Sequence, residues 1–105
     1  MKNIKDIEII IQKHKKELEK KYGLREIGIF GSYVRGDQLK DSDIDILVEI
    51  ERPMGFMKFI KLENYLSQIL DAKVDLVTKK ALKPYIGRRI LQEVRYVKME
   101  RRQRF

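Results

Sequence analysis

Apolar positions recur along the chain with two different periods. Ile4, Ile7, Ile10, Ile11, Leu18 and Tyr22 fall three and four residues apart, which predicts one amphipathic helix over about 3–22. Asn3 suits its N-cap and Gly23 its C-terminal stop. Ile27-Gly28-Ile29-Phe30 reads as a short buried strand that ends at Gly31-Ser32. Residues 31–43 are polar and carry Gly31, Gly36, Asp37, Asp41 and Asp43, so they read as a turn, a short helix and a loop. Strand alternation returns over 44–50. Ile44, Ile46, Val48 and Ile50 share one face, and Asp45, Leu47 and Glu49 the other.

A second helical stripe, with Phe59, Ile60, Leu62, Leu66, Ile69 and Leu70, covers about 56–70. Met54-Gly55-Phe56-Met57 at its start reads as core packing. A third strand follows over 73–78, then a last helix over about 85–97 with Ile86, Ile90, Leu91, Val94 and Val97 inward. Residues 98–105 are expected to form a flexible basic tail. The order αβ(α)βαβα predicts an α/β (α+β) fold, a small mixed β-sheet flanked by helices, in a single domain over 1–105.

Composition narrows the chemistry. The 105 residues include no Cys, which excludes disulfide frameworks, Cys-type zinc sites and thiol catalysis. The 24 Lys+Arg against 16 Asp+Glu give a net charge of +8, which suits nucleic acid, nucleotide phosphates or an acidic partner, and equally suits solubility. The start of the chain has no signal-peptide pattern, and the longest apolar runs are three residues, so the expectation is a cytoplasmic protein with no membrane span. His14 is the single histidine and stands among lysines, where a solvated side chain is expected.

Three features converge on one chemistry. Gly31-Ser32 lies where a strand turns into a helix, so the backbone can approach a ligand closely. Helix-start N–H groups and the Ser32 hydroxyl could hold phosphate oxygens there, with Arg35 one turn on. Asp43 and Asp45, two residues apart at the start of a strand, direct two carboxylates to one side. Asp75 lies between Val74 and Leu76 in a strand expected to be mostly buried, where a charge needs a metal or a partner such as Lys79. Unpaired, such carboxylates repel one another, and Mg²⁺ would resolve this. Three of them around one point suggest a two-metal site of the kind that transfers nucleotides. A P-loop fails, because Asp37-Gln38 follow Gly36 where Lys and Ser or Thr are required.

Gly31-Ser32, ten intervening residues, then Asp43-Ile44-Asp45 resembles the GSx10DxD motif of the DNA polymerase β-type nucleotidyltransferases. With Gly31-Ser32-Tyr33-x-Arg35-Gly36 and Val74-Asp75-Leu76-Val77, the chain is similar to the minimal nucleotidyltransferases, MNT proteins usually paired with HEPN-domain toxins. The resemblance covers about 3–97. It implies Mg²⁺ held by Asp43, Asp45 and Asp75, and ATP triphosphate held by Gly31 and Ser32. It also implies AMP transfer to a tyrosine of a HEPN ribonuclease toxin, with Asp75 helping to deprotonate the acceptor. Two other readings stand beside it: an antitoxin that binds and masks its toxin, and a nucleotidyltransferase acting on a small molecule or an RNA end.

Overall fold

The computed structural model describes residues 3–98. The chain enters its first helix through a capping box. Asp6 N–H donates to Asn3 Oδ1 at 3.0 Å, and Asn3 N–H donates to the Asp6 carboxylate at 3.2 Å. The helix expected over 3–22 is broken into α1 (Ile4–Lys13) and α2 (Lys15–Tyr22). His14 explains the break. Its ring Nδ1 lies 2.9 Å from the Ile10 carbonyl, the acceptor its own amide would use in an unbroken helix. That amide donates to Ile11 O at 3.0 Å instead, which tightens the backbone for one residue. His14 is therefore half-buried rather than solvated. Gly23 closes α2 in the left-handed conformation, φ 67°.

The remaining elements are β1 (Leu24–Phe30), α3 (Ser32–Arg35), β2 (Ile44–Ile50), α4 (Phe56–Leu70), β3 (Val74–Thr78), a 3₁₀ turn (Lys79–Ala81), α5 (Pro84–Glu93) and β4 (Arg95–Tyr96). The sheet has the order β3-β2-β1-β4. β1 runs antiparallel to β2 and β4, and β2 runs parallel to β3, so the expected mixed sheet forms. Pairing sets Ile29 opposite Ile46 and Ile27 opposite Val48, which joins the apolar faces of β1 and β2. Ile7, Ile11 and Leu18 from α1 and α2, and Leu62, Leu66 and Leu70 from α4, bury completely in the same core. Each such side chain contributes about 1.5–3 kcal/mol of transfer free energy. β3 is a sheet edge, and α4 covers its amides. Val74 N–H donates to Ser67 Oγ at 3.2 Å and Leu76 N–H to Glu63 Oε2 at 3.1 Å.

The last part of the chain departs from expectation. α5 stops at Glu93, and Arg95–Tyr96 form a fourth strand against β1. Gly28 permits this, since a Cβ there would come within 2.6 Å of Val94 Cγ2. Val97 is buried as expected, but on the continuation of β4, where its N–H donates to Ile27 O at 2.9 Å. Ile86 and Leu91, expected inward, are 61% and 45% exposed, because the apolar stripe of α5 is wider than the surface it meets. Phe56 and Met57 are exposed too, and only Met54 of that segment packs on the core. The expected tail begins tied down, with Gln12 Nε2 donating to Lys98 O at 2.9 Å; residues 99–105 lie outside the described residues. Among the described residues no helix is long and apolar enough to cross a membrane.

Candidate active site

β1 ends at Phe30 and α3 begins at Ser32, so Gly31 makes the corner between them. Its φ of 81° and ψ of −150° lie in a region that side-chain-bearing residues avoid. A Cβ on Gly31 would also collide with the Asp45 carboxylate. Glycine is therefore required twice, for the backbone angle and for the approach of Asp45. Phe30 is opposite Asp45 across β1–β2, and Asp45 is opposite Asp75 across β2–β3. Asp43 stands just before β2. The structure thus brings Gly31, Asp43, Asp45 and Asp75 to one end of the sheet. Ser32 is half-buried, and as the first amides of a helical turn, Ser32 and Tyr33 N–H have no intrahelical acceptor.

Asp45 is half-buried, and its carboxyl is pushed up to about 6 from an ordinary 3.8. Burial is the main cause, the carboxylates of Asp75 and Asp43 add to it, and Arg35 opposes it. Asp75 itself is exposed, against the expectation of a buried charge, because β3 lies at the sheet edge. Lys79 is not its partner: Lys79 Nζ lies 3.2 Å from Glu26 Oε1 and 3.8 Å from Glu49 Oε1.

The three carboxylates share one end of the sheet without converging as expected. Among the described residues, no three of His, Cys, Asp or Glu stand close enough to enclose a metal ion. The donor chemistry nevertheless fits a hard divalent cation. All three groups are carboxylates, and Arg35 only partly offsets the repulsion at Asp45. Neighbouring strands run about 4.8 Å apart, and the in-register Asp45 and Asp75 are near enough for each carboxylate's charge to act on the other.

Arg35 lies beside the corner but is engaged. Its Nη1 donates to Glu93 Oε1 at 3.0 Å and its Nε to Asp37 Oδ2 at 3.3 Å. The bond to Glu93 is the main reason its guanidinium pKa lies above the ordinary value. Gly31 N–H donates to Glu93 Oε2 at 2.6 Å. Glu93 lies 62 residues from Gly31, beyond the reach of any local motif. One local sign exists: it is a carboxylate in the last turn of α5, where the helix dipole disfavours negative charge. Ser42 closes an ordinary turn, its Oγ accepting Leu39 N–H at 2.8 Å. A groove of about 740 Å³ lies toward the other end of β2 and β3, lined by Met54, Phe56, Phe59, Leu76 and Lys79 among others, and includes none of these site residues.

Comparison with known proteins follows the same line. A family model described as a nucleotidyltransferase domain matches residues 11–97. The protein adenylyltransferase MntA of Thermococcus cleftensis is 52% identical over 97 residues, covering 92% of this chain and 98% of its own. A toxin–antitoxin crystal structure with AMP-PNP superposes with a TM-score of 0.70 at 26% identity, over 84% of this chain and 73% of its own. A chain from the complex of a tri-AMPylated Shewanella oneidensis HEPN toxin with an MNT antitoxin superposes with a TM-score of 0.67 at 23% identity, over 89% of this chain and 72% of its own, a likeness of fold.

Proposed function

This chain belongs to the nucleotidyltransferase domain family, and from that premise we propose that it is a Mg²⁺-dependent protein adenylyltransferase. It transfers AMP from ATP to a tyrosine hydroxyl of a partner HEPN toxin, and so acts as the antitoxin of a ribonuclease. The observation that carries this reading is the geometry around Asp45, set against the Gly31 corner on one side and in register with Asp75 on the other. A phosphate-holding turn beside paired carboxylates is the minimum a nucleotidyl transfer needs. The relative named a protein adenylyltransferase, half identical over nearly the whole chain, supports a protein acceptor.

In this reading Asp43, Asp45 and Asp75 hold Mg²⁺, which when bound neutralises the crowded carboxylates and the phosphate charge. The Gly31 corner lets the triphosphate approach, and the Ser32 hydroxyl and amide hold its oxygens. Arg35 adds positive charge beside them, and reaches a phosphate only by giving up Asp37 or Glu93. Asp75 accepts the proton of the tyrosine hydroxyl, whose oxygen bonds to the α-phosphorus as the bond to pyrophosphate breaks. The exposure of Asp75 suits an acceptor that arrives on another protein.

The test mixes the chain with Mg²⁺, α-phosphate-labelled ATP and its co-purified partner. Label on the partner, absent with Asp43→Ala, is the expected result. The carboxylates' lack of convergence favours one rival, neutralisation by masking alone. A partner that is bound and silenced but never labelled would establish that rival.

A further inference from the structure

Glu93 ties the end of the last helix to the corner that carries Ser32. Its Oε2 accepts Gly31 N–H at 2.6 Å, and its Oε1 accepts Arg35 Nη1 at 3.0 Å. One carboxylate thereby grips both ends of the α3 segment, the backbone before it and the side chain of its last residue. Arg35 Nε is held in turn by Asp37 at 3.3 Å. Glu93 is itself fixed from behind. Val94 N–H donates to Ile90 O at 2.8 Å, and Val94 Cγ2 lies so near Gly28 that no side chain fits there. The Glu93 side chain is 25% exposed, against 50% for Arg35. Two costs attach to this position: the helix dipole disfavours a carboxylate there, and Glu93 adds to the repulsion at Asp45. The double bridge accounts for a carboxylate in so unfavourable a place.

We propose that Glu93 is a positioning residue for the nucleotide: by gripping Gly31 N–H and Arg35 together, it sets the corner from which Ser32 faces the triphosphate. The inference rests on Gly31-Ser32 as the triphosphate site of the proposed transferase. Glu93 touches no phosphate and acts through the turn. Both of its oxygens accept a hydrogen bond. A glutamine offers one oxygen and one NH₂, and the NH₂ opposes one of the two donors. An alanine offers neither.

The experiment measures AMP transfer to the partner and the KM for MgATP in the wild type, Glu93→Gln, Glu93→Ala, Arg35→Ala and Arg35→Ala/Glu93→Gln. Glu93→Gln is expected to raise the KM for ATP about tenfold and Glu93→Ala further, with kcat changed by less than about threefold, since the lost interaction serves ground and transition states alike. The double variant is expected to fall short of the product of the single effects, because the two residues share one bond. A fall in Tm with the KM for ATP unchanged would make Glu93 merely structural and overturn the proposal. A lower KM in Glu93→Gln would mean that Glu93 competes with phosphate, and overturns it equally. If Glu93→Ala fails to fold, the nearly isosteric Glu93→Gln decides. A wild type that neither binds ATP nor transfers AMP would sink the transferase reading itself, whereas an active wild type matched by its variants sinks this inference alone.

Discussion

Asp45 and Gly31 concentrate the conflict between stability and chemistry. Asp45 titrates near 6 in the folded chain against an ordinary 3.8, so the folded state binds its proton more tightly than the unfolded one. In metal-free protein its contribution is therefore favourable below about pH 4. It is lost as the pH rises through about 6. Asp45→Asn is expected to raise the Tm at pH 7 in EDTA by several degrees, about what 1 kcal/mol gives a domain of this size, and to flatten the pH dependence of stability between 4 and 6. Transfer by the same variant is expected to vanish. Thermal melts across pH, paired with the labelling assay, check both. Gly31→Ala meets a disallowed backbone angle and the Asp45 carboxylate together, so it is expected to cost about 1–3 kcal/mol and to abolish nucleotide binding. Urea titration and nucleotide titration measure the two losses. The special character of Gly31, Asp43 and Asp45 was legible in their spacing. That Gly31 backs directly onto Asp45 was not, because the approach crosses from β1 to β2.

The elements that periodicity could reach were found: the apolar stripes of α1, α2 and α4, and the alternation of β2 and β3. The failures have nameable causes. His14 breaks the first helix by taking its own turn's acceptor, a side-chain choice that a hydrophobic stripe does not report. β4 is two residues long and continues the apolar spacing of α5, so Val94 and Val97 read as helix. What makes it a strand is an edge of β1 left open beside Gly28. Gly28→Val is expected to push Val94 and Tyr96 away and destabilise the chain by about 1–3 kcal/mol, read as lost hydrogen-exchange protection at Val97 N–H. Glu63→Ala strips the acceptor from a β3 edge amide and is expected to cost about 1 kcal/mol in chemical denaturation.

For the molecule as a whole the question is whether neutralisation is chemical. The charge of +8 and the exposed apolar residues of α5 suit a partner without naming it. Asp43 is half-buried, just before β2 at the end of the sheet and outside the core, so Asp43→Ala is expected to keep the fold and the complex. Its label on the partner is expected to fall by about a thousandfold or more, as is that of the wild type in EDTA. Gel filtration of the complex beside the labelling assay separates the two effects. A silenced partner in the Asp43→Ala complex would make binding sufficient for neutralisation.

Properties that depend on neighbours along the chain could be read without coordinates. Helical and strand periods, caps, and the interval from Gly31-Ser32 to Asp43-x-Asp45 all repeat or resolve within a few turns, and local sterics and hydrophobic burial enforce them. Strand order, the exposed edge that carries Asp75, the fourth strand and the Glu93 bridge depend on residues tens of positions apart. Loop closure lets any of many such pairs meet at nearly the same entropic cost. Packing of the assembled core selects among them, and no local pattern encodes that selection.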